Sequence, residues 1–437
     1  MGQFKVIVVG AGPVGLILAI ALQKSGIDFV VVEQRKHAAP PTAFGIFLWP
    51  HILRIFHQLG LYEDMQSIGL VMTELLNRSS TGEQLEISNG FELLEFAHGY
   101  PTMLFDRKSF AEVLLKHLKG SDQLVKTSKR VTNISTRKDG VTVDFADGTS
   151  EDGSIVVGAD GVWSTVRDFM REKAPPGLFS EDSNPFSAPY QGLFFRVPRP
   201  ESLKPGQTVY VHQPHRQLMA LVTDTEAHMT TYERIPNVSE RTNFSPNNVS
   251  DEDIKYWFDV PVNEQVTFKD LWDNKTIGGM VNHDEGVIPW WHWDRLVLVG
   301  DSVHKVECSV MSPFRGAGGC CGIEGAISLV NKLNRVLSSN PDPSRQDLSG
   351  AFTAYQAERE PAARLWVNVS RIDIDLYTSK AGPASKAATF ADGRAIPIAA
   401  NSPVLDILPF PDEKEGVVPW KRHPKADGQS KGVKARL

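Results

Sequence analysis

The opening residues constrain the fold most. A β-branched apolar run, Phe4–Val9, is cut by glycines at Gly10, Gly12 and Gly15 and leads directly into "LILAIALQKSG". A run that is apolar at every position is what a strand buried on both faces needs, and the next segment has helical spacing with Gly26 as its stop. "DFVVVEQ" then supplies a second strand, so the start of the chain reads strand, turn, helix, strand. In that setting G-x-G-x-x-G is a dinucleotide cradle. Gly10 and Gly12 permit the tight turn and the approach of backbone to a pyrophosphate, and Gly15 lets helix and strand pack closely. Glu33 ends the second strand 18 residues after Gly15, where an acid accepts hydrogen bonds from an adenosine ribose.

The rest of the chain continues the α/β pattern. "PHILRIFHQLGLYEDM" predicts a helix ending near Gly60, and "DRKSFAEVLLKHL" another with Asp106 as N-cap. "VTNISTRKDGVTVDFADGTS" predicts a hairpin turning at Asp139-Gly140, with a further turn at Asp147-Gly148, and "SIVVGADGVWSTVR" is a strand meeting a turn. Residues 176–285 change character. Their Pro-rich punctuation and the pieces "GLFFRVP", "QTVYVHQ", "QLMALVTD" and "HMTTYERI" predict a mostly antiparallel sheet inserted as a second layer. "RLVLVGDS" returns to a buried parallel strand and "GIEGAISLVNKLNRVLSS" to a helix. A long helix follows, expected to be interrupted or kinked at Pro361.

A length of 437 residues exceeds what one core usually organises. The expected division is residues 1–175 as the dinucleotide-binding part, with segments near 70–100 belonging to the substrate side, and 176–285 as the substrate sheet. Residues 286–380 complete the first part with the long helix, and 381–437 form a Pro/Gly/Lys-rich tail.

Composition excludes several functions. A net charge of -6 argues against a nucleic-acid partner. Cys308, Cys320 and Cys321 are the three cysteines, two of them adjacent, which makes neither a disulfide framework nor a metal-ligand set. They are expected to be structural or incidental thiols, with a redox or substrate-contacting role as the alternative, and no metal is expected. No apolar window reaches the length of a membrane span and no cationic leader precedes the first strand, so the expected location is the cytoplasm. Ala435-Arg436-Leu437 is a small-basic-Leu variant of a peroxisomal address, against the plain alternative of an unstructured terminus.

Three segments in order, "VIVVGAGPVGLILAIALQKSGIDFVVVEQ", "IVVGADGVWSTVR" and "RLVLVGDSVHK", resemble the fingerprints of single-component (group A) FAD-dependent monooxygenases of the para-hydroxybenzoate and salicylate hydroxylase type. "LWPHILRIFHQLGLYEDM", "GVIPWWHWDRLVLVGDSVHK" and "YQAEREPAARLW" resemble more closely the fungal branch that oxidises, often epoxidises, prenylated and terpenoid intermediates of secondary metabolism. The resemblance implies a Rossmann-like FAD-binding domain, an inserted mostly antiparallel β-sheet substrate domain and C-terminal helices. It also implies Glu33 on the adenosine ribose and Arg107 near the FAD pyrophosphate or adenosine. Asp160 and Gly161 would touch both FAD and a transient NADPH, with Arg167 on the helix that follows, and Asp301 would hydrogen-bond the ribityl chain. The helix after Gly318 would point its N-terminus at the flavin, where free N-H groups stabilise negative charge.

"GDSVHKVECSVMSPFRGAGGCCGIEGA", residues 300–326, departs from that family's spacing. Deleting Glu307–Met311 would restore it and bring Pro313, Gly316, Gly318 and Gly319 into register, which reads as a cradle with a five-residue insertion. Phe47 is a second departure, standing where the fungal branch usually carries a glycine near the flavin.

The chemistry implied is reduction of FAD by NADPH or NADH, capture of O₂ as a flavin C4a-hydroperoxide, and transfer of one oxygen to an apolar intermediate. That intermediate would be a terpenoid or a prenylated aromatic or indole, oxidised by epoxidation or hydroxylation. Arg196 and Tyr210, on expected strands of the sheet, are candidates for orienting substrate or handling protons, with plain structural roles as the alternative. Two other functions stay open: ring hydroxylation of a phenol of the salicylate hydroxylase type, and a binding protein that kept the fold but lost its chemistry. "WWHWDR" partly echoes the Trp-x-Trp motif of flavin halogenases but lacks its Ile-Pro continuation, so an aromatic core or cavity wall is expected there.

Overall fold

The structure is a computed structural model that describes residues 4–39, 45–88, 90–178, 186–235, 249–306, 317–377 and 402–408. Its first strand, Lys5–Val9, is buried from Val6 onward. It lies inside a six-stranded sheet of order 292–293, 296–298, 155–158, 5–9, 28–32, 125–126. All neighbours are parallel except the first pair. Val8 sits opposite both Val31 and Val157, so the β-branched run is enclosed on both edges. The helices Pro13–Lys24 and Ala317–Ser339 pack together beside this sheet. The crossover rule places ligands at the carboxyl ends of such strands, and Gly10, Glu33, Asp160 and Asp301 follow the ends of the strands 5–9, 28–32, 155–158 and 296–298.

The second layer is an eight-stranded sheet of order 304–305, 277–287, 187–198, 226–234, 216–222, 207–213, 74–78, 84–88. It draws on three separate stretches of sequence, and only the pairing of 207–213 with 74–78 is parallel. Its two faces separate by strict alternation. Leu193, Phe195, Val197, Val209, Val211 and Met229 pack against Trp257, Phe268 and Trp272 of the segment that covers the outer face. Tyr210, Met219, Leu221 and Tyr232, on the opposite parity, join the core of the dinucleotide-binding layer. A small third sheet, Gly45–Leu48 with Met103–Asp106 and Leu70–Val71, bridges the two layers.

Local expectations are met where side chains cap their own elements. The helix Pro50–Leu59 stops at Gly60, which is left-handed at φ 77°. Asp106 caps the helix Arg107–His117 by accepting from the backbone N–H groups of Lys108 and Ser109. Of the two outcomes expected at Pro361, an interruption is not found, since the helix Arg345–Tyr377 runs through the proline. Its neighbours supply the reason: Phe352, Tyr355, Ala363 and Trp366 on either side of the proline are buried in the main core, and that packing outweighs one lost N–H. The expected tail beyond residue 408 lies outside the described residues.

Candidate functional site

The cradle is built by three glycines with different duties. Gly10 has φ +108°, and a Cβ there would sit 2.5 Å from the carbonyl oxygen of Ala159; one on Gly15 would sit 2.0 Å from that of Gly10. Both positions are closed to any side chain by backbone. Gly12 is the reverse case: a Cβ would meet nothing within 4 Å, so the open space beside it belongs to something else. Gly12 is also the N-cap of the helix Pro13–Lys24 and makes no side-chain cap, leaving the first N–H groups available to an anion. Glu33 is 6% exposed, and its Oε2 accepts from the Ala11 N–H at 3.0 Å while Oε1 accepts from that of Arg35 at 2.8 Å. Gly10, Gly12, Glu33 and Arg35 line a cavity of about 290 Å³ together with Gln34, Lys129, Arg130, Asp160, Gly161 and Trp163.

Asp160 accepts from Ser164 Oγ at 2.5 Å and from the Val166 N–H at 3.1 Å. Burial pushes its carboxyl up, with those hydrogen bonds opposing. It therefore shapes the turn, and Gly161, at φ +81°, completes it. Arg167 donates to the carbonyls of Ser302, at 2.9 Å, and Val162, at 2.6 Å. This ties the Asp160 turn to the Gly300–Ser302 turn.

At that second turn Asp301 pairs with Lys305 at 2.9 Å. Burial would raise its carboxyl, but Lys305, His304 and Arg107 outweigh it and hold the group low. Gly318, at the start of the helix Ala317–Ser339, lies against the Val306 carbonyl, where a Cβ would be 2.7 Å away, and a Cβ on Gly319 would touch Leu48. Phe47 is 6% exposed and packs on Phe91 at 6.0 Å between ring centroids. It fills core beside this helix. Pro313, Gly316 and the insertion Glu307–Met311 lie outside the described residues.

The eight-stranded sheet carries the other candidate residues. Arg196 pairs with Asp106 at 3.2 Å and Glu226 at 3.5 Å, so this cation is engaged by two carboxylates. Tyr210 is fully buried and stacks on His212 at 6.0 Å with 18° between the rings. His212 in turn accepts from Gln217 at 2.8 Å and donates to Asn77 Oδ1 at 3.0 Å. Burial lowers its pKa to about 3, and a neutral ring is what one donated and one accepted bond require. Gln217 Oε1 and Thr208 Oγ1, on the same face, are buried without a hydrogen-bond partner among the described residues. His228, lowered to about 4 by burial and by Arg196, completes the set.

The sequence singled out Arg196 and Tyr210 on this sheet; the structure places Asn77, Thr208, His212, Gln217 and His228 on the same face, and none of these was singled out. The available signal was the alternation in "QTVYVHQ" and "RQLMALV", where alternate residues share a face.

A family described as "FAD binding domain" matches residues 3–370. The FAD-dependent monooxygenase srdH of Neurospora crassa is 30% identical, over 96% of this chain and 99% of its own length. The chain belongs to the FAD-dependent monooxygenase family. The FAD-dependent monooxygenase ausM of Penicillium brasilianum is also 30% identical, over 86% of this chain and 79% of its own.

Solved structures share the fold. HpxO of Klebsiella pneumoniae, complexed with FAD and uric acid, superposes with a TM-score of 0.67 at 23% identity, covering 91% of this chain and 93% of that one. For 2,6-dihydroxypyridine-3-hydroxylase of Arthrobacter nicotinovorans the TM-score is 0.68 at 17% identity, covering 95% and 99%.

The monooxygenase's residues fit its FAD. The open space at Gly12, the helix start without a side-chain cap and the carboxylate of Glu33 lining the adjoining cavity are each what a flavin dinucleotide needs. Cys320 and Cys321 are buried, and burial raises the Cys321 thiol well above its ordinary value, which leaves it inert. No helix among the described residues is long and apolar enough to cross a membrane.

Proposed function

We propose that the protein transfers one atom of O₂ to an apolar intermediate of fungal secondary metabolism, a terpenoid or a prenylated aromatic or indole, consuming NADPH or NADH. FAD, when bound, supplies the redox chemistry that activates oxygen. The chain supplies position and dryness. Glu33 holds the adenosine ribose, Gly10, Gly12 and Gly15 admit the pyrophosphate, and Asp160 with Gly161 sets the turn against it. Arg107 lies near the pyrophosphate or adenosine, Asp301 hydrogen-bonds the ribityl chain, and the helix start at Gly318 and Gly319 faces the flavin ring.

The observation that carries the substrate reading is the inner face of the eight-stranded sheet. Tyr210, Met219, Leu221 and Tyr232 merge with the core that holds Phe47 and Phe91, a surface suited to excluding water from an oxidising centre. Gln217 and Thr208 add two buried hydrogen-bonding atoms without partners, enough to orient a single hydroxyl or N–H on an apolar skeleton. Ring hydroxylation of a phenolate would call for a cation aimed at the oxygen. Arg196 is held by Asp106 and Glu226, and burial keeps His212 and His228 neutral.

The test is spectroscopic first and isotopic second. Purified protein with FAD is expected to show flavin bands that NADPH bleaches without oxygen. Under ¹⁸O₂ a geranylated phenol is expected to gain label on its prenyl chain. Label on the ring would favour the phenol hydroxylase. Failure to retain flavin in excess FAD would leave a binding protein with a monooxygenase fold.

A further inference from the structure

Trp163 is the most exposed large apolar side chain among the described residues, at 69%. A large aromatic face exposed at a cavity is suited to receiving a flat ring, and here the backbone of Trp163 is pinned on both sides. Val162, before it, accepts from Arg167 at 2.6 Å, and Ser164, after it, binds Asp160 at 2.5 Å and caps the next helix. The indole is therefore displayed from a rigid turn. It lines the same cavity as Gly10, Gly12 and Glu33.

That cavity lies at the carboxyl ends of three strands of the parallel sheet, with Glu33–Arg35, Lys129–Val131 and Ala159–Trp163 as its walls. Its volume of about 290 Å³ suits a nucleoside rather than a whole dinucleotide. With the ribose on Glu33, the base must lie among the remaining lining groups. Among these, Trp163 offers the one aromatic face, and Arg35 and Arg130 stand at the rim.

We propose that Trp163 is the stacking platform for the adenine ring of FAD, and so a determinant of selectivity for FAD over flavins without adenosine. The role depends on the cofactor alone and holds whatever substrate the enzyme oxidises.

The test uses the full chain stripped of flavin and titrated with FAD and, separately, with FMN. Wild type is expected to quench tryptophan fluorescence on binding FAD, with most of that quenching lost in Trp163→Ala. Base stacking on an aromatic side chain predicts a rise in the FAD dissociation constant of about 10- to 100-fold in W163A. FMN binding is expected to be unchanged, and Trp163→Phe to recover most of the FAD affinity. Circular dichroism is expected to match wild type, because the side chain is exposed.

Equal weakening for FAD and FMN would overturn the proposal, as would an unchanged FAD constant in W163A. A raised KM for NADPH with FAD affinity intact would overturn it too, by assigning the indole to the nicotinamide dinucleotide. Wild type that binds neither flavin would instead refute the oxygenase reading above.

Discussion

At the scale of single residues, the three cradle glycines separate folding from binding. Gly10→Ala is expected to destabilise the protein by at least ~2 kcal/mol, because it forces a strained φ and a collision with the Ala159 carbonyl. Gly12→Ala meets no protein atom. Its urea midpoint should stay near wild type while its affinity for FAD falls at least tenfold, since the methyl occupies the pyrophosphate's approach. Equal destabilisation of both variants would show that Gly12 is a packing residue too.

Four histidines set a pH dependence of stability. Burial holds His51 and His212 at about 3 and His228 and His304 at about 4, whereas an unfolded histidine titrates near 6.5. Below pH ~6.5 the unfolded chain binds protons that the folded chain refuses, so stability is full above that value. It falls as pH drops toward ~4, by up to ~1.4 kcal/mol per pH unit for each histidine. Calorimetry at pH 5.5 should register proton uptake on unfolding, and His212→Gln should reduce that uptake by about one. An unaltered uptake would mean that His212 is already charged in the folded state.

At the scale of elements, two helices illustrate what a local pattern can and cannot say. Asp106 was readable as an N-cap from "DRKSF" alone, because a short acid before a helical run has few other uses. Its second bond, to Arg196 some 90 residues away, was not readable. Asp106→Ala should lower stability by ~1–2 kcal/mol through the lost cap and weaken FAD binding as Arg107 loses its setting. Asp106→Asn should keep most of the cap and lose the ion pair, which separates the two effects. Pro361 was readable as an interruption or a kink, and the helix is not interrupted there. Pro361→Ala restores one backbone donor in the helix, so a rise in stability of ~1–3 kcal/mol is expected, measured as a higher urea midpoint. Buried neighbours on both sides, Tyr355 and Trp366 among them, hold the helix together across it.

At the scale of the whole molecule, the candidate FAD cradle exists only when distant turns meet. Ser302 receives Arg167 from 135 residues away, and Glu33 reaches Ala11 across the first turn. Binding to the folded state alone should raise stability by ~2.7 kcal/mol at a hundredfold excess of FAD over its dissociation constant. A thermal melt with and without FAD measures this. An unshifted melt would mean that the turns are not poised to receive the cofactor.

The sequence by itself determined the parallel layer and the glycine turn of the candidate cradle. A strand buried on both faces, a tight glycine turn and the helix that follows it are each made by neighbours in the chain, and such local physics leaves local patterns. The inner face of the eight-stranded sheet was decided only by tertiary structure. The hydrogen-bonded row Asn77, His212 and Gln217 joins strands that start at Glu74 and at Gln207. Which side of an alternating strand meets the core, and which acid claims Arg196, depends on the partners that fold against it. Those partners are set by packing across the chain, and a strand carries no record of them in its own residues.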